Sequence, residues 1–299
     1  MNSDRPYVDQ RVVDVDEATR AAAAAAESWE LPTPRFLRQG MNVIYTCGDE
    51  VLRVGRTTAP AAASHELAVT LADRGLPVIE PITGHVLDRD GFAVTGWRRV
   101  DVAEAPVDWR TVGAAIARIH ELDEADLPAT YPIPSPTTFP WWDFDALLAS
   151  VADRIDQPAL AGLRRVIGEG AGWREAVDRN AVVCHGDVHP GNVLVTPSGP
   201  VLIDFDLLRR AAPAWDHAML TTYTDRWGGA PDAYAAFAEG YGRSLADDEL
   251  TQTIASLRNA AATLMRVRAG IADEAARAEV EQRLRYWRGD PEAPHWRAQ

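Results

Sequence analysis

The sequence predicts an α+β chain of two lobes: a small antiparallel-sheet lobe over residues 1–96, then a larger, mainly helical lobe over 97–299. Three observations carry this. β-Prone runs crowd the first hundred residues, the composition shifts near 97–105, and everything from Asp232 onward has helical character.

In the first lobe, residues 14–30 read as a helix, because six successive alanines have the best helix propensity and the flanks are charged. Val43 to Thr46 and Val51 to Val54 are β-prone runs joined by a Gly48-Asp49-Glu50 turn. Residues 60–74 form a helix, stopped by Gly75 with Pro77 just beyond. Val78 to His85 and Phe92 to Val100 supply further strands.

In the second lobe, Thr111 to Leu122 is a helix with Val112, Ala115, Ile116 and Ile119 on one face. Five prolines make residues 128–140 a surface loop. Residues 143–169 are mostly helical, and so are 232–243, 247–268 and 272–287.

Composition excludes several function classes. The formal charge is 30 − 44 = −14, which argues against a nucleic-acid partner and is compatible with a cationic substrate or a merely solubilising surface. No run of about 18 apolar residues exists, so no membrane span is expected. The start, Met1 to Gln10, lacks a signal pattern, which makes the cytoplasm the default location. Cys47 and Cys184 are far apart and read as buried small residues rather than a disulfide or a zinc site.

The chemistry concentrates in Ala181 to Asp206, AVVCHGDVHPGNVLVTPSGPVLIDFD. Val182 to Cys184 is a short strand, His185 to Asn192 a loop, and Val193 to Val195 and Val201 to Ile203 the arms of a hairpin. Centring that hairpin on Ser198 pairs Val195 with Val201, Val193 with Ile203, and Asn192 with Asp204. Opposed residues sit about 4.5–5.5 Å apart, so an amide oxygen and a carboxylate converge. Hard oxygen donors of this kind suit Mg2+, which binds few protein oxygens beside phosphates and water. Asp187, five positions before Asn192, can accept a proton from an attacking hydroxyl. Taken singly, Asp187 and Asn192 are ordinary turn residues; together they have the spacing of a kinase catalytic loop, with Asp204-Phe205 twelve residues on.

HGDVHPGN followed by LIDFD resembles the aminoglycoside phosphotransferase family, which is related to choline kinases. The resemblance implies a bilobal protein-kinase-like fold, Mg2+, and ATP or GTP as phosphoryl donor to a small-molecule hydroxyl. Gly186 replaces the protein-kinase arginine and Asp206 the last glycine of Asp-Phe-Gly, as is usual in this family. His185 matches a loop-supporting histidine, and His189 is expected to have no catalytic duty.

Further roles follow from the resemblance alone. Gln39 to Tyr45, with Gly40 and Asn42, is similar to the family's nucleotide loop, although a plain hairpin turn would read the same way. Arg53 stands where a strand lysine contacts phosphates, and Glu66 is its implied ion-pair partner. Thr95, Gly96 and Trp97 lie where backbone meets a purine. Asp216 matches a structural aspartate. Trp141, Trp142 and Asp143 lie where relatives bind the acceptor, with Asp206 and Asp225 as further candidates; a core aromatic cluster with a helix-capping aspartate is the alternative.

The implied acceptor is an aminoglycoside or other antibiotic. The alternatives are a sugar, amino sugar or amino alcohol from metabolism, or a nucleotide-binding pseudokinase without transfer. A protein kinase is disfavoured, because Asp204 runs to Asp216 with no long activation segment.

Overall fold

Val43, Tyr45 and Cys47 alternate with more exposed residues, and this period of two sets the buried face of the N-terminal sheet. The computed structural model describes residues 9–57, 60–271 and 274–297. Strands β1 (Asp9–Gln10), β2 (Arg35–Gln39), β3 (Val43–Cys47), β4 (Glu50–Thr57), β5 (Pro81–Arg89) and β6 (Phe92–Arg98) form one antiparallel sheet. Its order is β2-β3-β4-β6-β5, with β1 beside the end of β4. Helix α1 (Val15–Ser28), capped by Asp14, lays Ala18, Ala21, Ala22 and Ala25 against Tyr45, Leu52 and Val94. Helix α2 (Ala61–Asp73) packs by β5 and β6 and joins, through Leu67 and Leu71, a core shared with the second lobe.

β6 continues to Arg98, so the strand crosses the expected 96/97 boundary. The connection that follows is tied to the second lobe by Ala103 N–H donating to the Val195 carbonyl at 2.8 Å.

The second lobe is helical: α3 (Trp109–His120), α4 (Phe144–Val151), α5 (Gln157–Glu169) and α6 (Trp173–Ala176) precede the segment 181–206. Strands β7 (Val182–Cys184), β8 (Val193–Thr196), β9 (Gly199–Leu202) and β10 (Arg209–Ala211) form two small ribbons, β7 with β10 and β8 with β9. Helices α7 (Ala214–Thr221), α8 (Tyr223–Trp227), α9 (Ala233–Tyr241), α10 (Glu249–Ala269) and α11 (Glu274–Trp287) complete it. α3 and α9 touch backbone to backbone, because a Cβ at Gly113 would lie 2.0 Å from the Phe237 carbonyl oxygen.

Residues 143–169 are mostly helical as expected, in two helices, because Asp156 caps a new start and Pro158 stands in its first turn. Other elements differ from expectation or add to it. The start expected at 272 lies outside the described residues. β10, α7 and α8 were not anticipated. Within the proline segment, Pro136 and Pro140 open short 3-10 turns.

The hairpin register is also different. Val193 pairs with Leu202 and Val195 with Pro200, one residue away from the expected pairing. The turn is the two-residue Pro197-Ser198, clamped by the Thr196 hydroxyl donating to the Gly199 carbonyl at 2.8 Å, with Gly199 at φ +119°. Asn192 therefore opposes Ile203, whose N–H it receives at 3.1 Å, and Asp204 lies one step beyond. A left-handed conformation at Asp204, φ 64°, leads the chain out of the ribbon there.

Cys47 and Cys184 are both buried and free. Among the described residues no helix is long and apolar enough to cross a membrane.

Candidate active site

The loop from His185 to Asn192 begins where β7 ends, and a buried carboxylate shapes it. Asp216, near the start of α7, accepts the backbone N–H groups of His185 and Gly186, each at 2.8 Å, and faces His120 Nε2 at 3.0 Å. Gly186 has φ +94°, and a Cβ there would lie 1.9 Å from the Leu207 carbonyl oxygen, so only glycine fits. The His185 ring bridges the loop to the hairpin: Nδ1 accepts the Asp187 N–H at 3.3 Å and Nε2 donates to the Ile203 carbonyl at 3.2 Å. That pattern requires the neutral tautomer. Burial lowers the His185 pKa in the same sense, against the pull of Asp216 and Asp187.

Asp187 points into the cleft with a basic side chain beside each carboxylate oxygen. His189 Nε2 lies 3.3 Å from Oδ2 and Arg258 Nη1 3.5 Å from Oδ1. Burial pushes the carboxyl up, but His189 and Arg258 outweigh it and hold the group well below the usual carboxylate range. Arg258, on α10, also donates to the Gly186 carbonyl at 2.7 Å. The sequence reading gave Arg258 no role and left His189 without one; the structure brings both onto Asp187.

Asn192 is buried, and its amide nitrogen donates to the Asp187 carbonyl at 2.9 Å and to Oδ2 at 3.2 Å. Both partners are acceptors, so the NH2 must face them. The amide oxygen is then left with no hydrogen-bond donor among the described residues. Asp204, its side chain 49% exposed, lies within electrostatic reach of Asp187 and 3.9 Å from Arg53 Nη2. Enclosure in the cleft and the Asp206 carboxylate push Asp204 up to about 6, against the pull of Arg53. A free amide oxygen beside crowded carboxylates is a donor set that favours a hard divalent cation.

Arg53 does not take the expected partner. Its two terminal nitrogens grip both carboxylate oxygens of Asp206, which is therefore an ion-pair residue in the cleft. Glu66 is exposed, and its carboxylate accepts the Thr130 hydroxyl instead.

On the sheet side, Thr95 is the cross-strand neighbour of Arg53 and shares its face. The Trp97 indole N–H donates to Thr95 Oγ1 at 2.8 Å. Gly96 pairs with Leu52 under α1, and a Cβ there would meet His85 Cβ at 2.7 Å, so packing explains that glycine. Gly40 N–H donates to the Asn42 carbonyl at 2.8 Å, and nothing lies within 4 Å of a Cβ built on Gly40.

A cavity of about 270 Å³ opens beside Asp187, with Trp141, Trp215 and Trp227 among its walls. Trp142 also reaches it but is a core residue, packed at 4.5 Å on Trp215 and 4.9 Å on Trp173. Asp143 is the cap of α4, accepting the Ala146 N–H at 3.1 Å. Neither it nor Asp225 lines the cavity. The ionisable groups that do are Asp187, His189, Arg209, Arg258, Arg266 and Arg283.

The family model described as "Phosphotransferase enzyme family" matches residues 42–258, a span from Asn42 to the arginine that meets Asp187. A spectinomycin phosphotransferase solved with ADP and spectinomycin has a TM-score of 0.65 at 15% identity, covering 89% of this chain and 93% of that one. An amicoumacin kinase solved with AMP-PNP and Ca2+ has a TM-score of 0.65 at 13% identity, covering 93% and 96%. A choline/ethanolamine kinase family protein from Mesorhizobium loti has a TM-score of 0.62 at 20% identity, covering 94% and 95%. Identities this low carry the fold. No curated protein matches the chain.

Proposed function

The chain belongs to the phosphotransferase enzyme family, and from that premise we propose that it transfers the terminal phosphoryl group of ATP or GTP to a small-molecule hydroxyl. The observation that carries this reading is the position of Asp187. One carboxylate borders the acceptor-sized cavity on one side and meets Asn192 on the other. In the reaction the hydroxyl oxygen forms a bond to the γ-phosphorus as the bond to the β-phosphate oxygen breaks. The hydroxyl proton passes to Asp187, leaving a phosphate ester and a nucleoside diphosphate.

A carboxylate held this acidic is a weak base. In a loose transition state the proton leaves late, so Asp187 acts chiefly by orienting the hydroxyl. Asn192 and Asp204 would hold Mg2+, which supplies charge neutralisation for the triphosphate. Arg53 would meet the phosphates from β4, beside the Asp206 that anchors it. Thr95 and Trp97 would border the purine, and Gly40 and Asn42 the phosphates from above. The sheet lobe through β6 would thus hold the nucleotide, and the helical lobe the acceptor. Cytoplasmic residence fits a reaction fed by nucleotide and magnesium. Antibiotic and metabolite hydroxyls are both chemically competent acceptors.

A pseudokinase is the rival. The joint placement of Asp187, Asn192 and the open amide oxygen supports transfer over binding alone. Magnesium-dependent nucleotide consumption, measured over a panel of hydroxylated compounds, tests the reading. Asp187→Ala should abolish transfer yet still bind nucleotide; turnover retained by that variant refutes the assignment.

A further inference from the structure

Although the protein carries a formal charge of −14, the cavity beside Asp187 is lined by four arginines and a single carboxylate. Two of the arginines are accounted for by the protein itself. Arg283 is paired with Glu279 at 2.8 Å, and Arg258 is shared between Asp187 and the Gly186 carbonyl. The other two are not. Arg209 is 1% exposed, with its guanidinium 4.1 Å from the centre of the Phe139 ring and 4.7 Å from that of Trp215. Its Nε donates to the Leu207 carbonyl at 2.7 Å, but Nη1 is buried without a partner. No carboxylate lies within ion-pair distance of Arg209 or Arg266 among the described residues.

Burying an unpaired guanidinium is costly unless something neutralises it. Stacking on aromatic faces recovers part of that cost and leaves the charge in place. The unpartnered groups of the wall are mostly donors: Arg209 Nη1, Arg258 Nε and the Trp227 indole N–H, with the amide oxygen of Asn259 as the acceptor. A polycation would meet repulsion here and find few acceptors; an oxyanion would face two guanidinium charges that no carboxylate among the described residues pairs, one of them on the half-buried Arg266.

We propose that the acceptor is a hydroxylated compound bearing an acidic group, carboxylate or phosphate, on an aromatic or otherwise flat apolar body. The acid lies against the guanidinium wall, the body stacks among the tryptophans, and the hydroxyl reaches Asp187. This rests on the reading of the cavity as a phosphotransferase's acceptor site, and it removes polycationic aminoglycosides from the preferred substrates.

The test is binding without nucleotide, read by tryptophan fluorescence on the full chain, so it does not depend on turnover. One matched series is 4-(hydroxymethyl)benzoate, its amide and the corresponding benzylamine. A second is the 4-nitrophenyl glucuronide, glucoside and glucosaminide. The anionic member of at least one series should bind about tenfold or more tighter than the neutral one, and the cationic member weakest. 4-(Hydroxymethyl)phenyl phosphate, run beside the benzoate, tells phosphate from carboxylate; tighter binding of either supports the proposal. Arg266→Gln, on the half-buried face of α10, should reduce the preference to about threefold or less. Arg209→Met tests the buried charge, with Arg266→Gln standing if that variant fails to fold. Equal binding within both series, preference for the cations, or no binding in either overturns the proposal. Anion binding without phosphoryl transfer would leave the proposal standing and count against the transferase reading alone.

Discussion

Arg53 of β4 and Asp206, just beyond the β8–β9 hairpin, form a two-point ion pair that joins the sheet lobe to the helical lobe across the cleft. The side chains are only 17% and 11% exposed, so neither charge has full access to water. Replacing Arg53 with methionine removes this cation from beside Asp206 and Asp204. The expected loss is about 2–3 kcal/mol of stability, somewhat less than for a fully buried pair. Millimolar magnesium should restore more melting temperature to this variant than to the parent, because a cation relieves the carboxylate repulsion. An equal magnesium effect in both proteins would show that the carboxylates do not share a cation.

Asp204 should govern the magnesium response directly. Asp204→Asn removes the charge but keeps the shape, and it should weaken magnesium-dependent nucleotide binding by about tenfold or more. Titration calorimetry with and without magnesium checks this. An unchanged metal dependence would remove Asp204 from the ligand set.

Asp216 sets the shape of the His185–Asn192 loop through two backbone N–H groups. Asp216→Asn turns one of its two acceptors into a donor facing a backbone N–H, and it weakens the contact with His120. A loss of about 2–4 kcal/mol is expected from the unsatisfied buried group. Residual turnover should show a lower kcat with a smaller change in nucleotide KM. A variant as stable and active as the parent would mean that the loop holds its own shape.

His217 gives the fold a predictable acid sensitivity. It is fully buried, with Nδ1 3.1 Å from the Tyr234 hydroxyl, and burial together with His120 lowers its pKa from 6.5 to about 4. The unfolded chain therefore binds the extra proton between these values while the folded chain does not. The histidine's contribution is fully present above pH 6.5 and is lost as the pH falls toward 4, by up to ~3 kcal/mol. Denaturant unfolding across that window should be flatter for His217→Gln. The same slope in both proteins would contradict a neutral buried His217.

Much of this was legible in the sequence because it is local. The alanine stripe of α1, the alternation in β3 and the loop–hairpin spacing around Asp187 each follow from residue type and period. The hairpin register was missed by one because Pro197-Ser198 closes a two-residue turn, and because the left-handed Asp204 lies outside any strand rule. Glu66 was assigned to Arg53 from family order, whereas the two-point pairing depends on where Asp206 arrives in space. Trp142 looked like an acceptor-site aromatic, but indole faces at 4.5 and 4.9 Å make it core.

By itself the sequence determined the two-lobed architecture and marked Asp187, Asn192 and Asp204 as candidates, because short-range spacing dictates that the three follow one another through a single loop and the hairpin after it. Only the tertiary structure decided the charge of the cavity beside Asp187. Arg209 and Arg258 are 49 residues apart in the chain and belong to different elements, and net charge carries no record of which side chains face inward. Packing brings them beside Asp187, where the sign of the local field runs opposite to that of the whole protein.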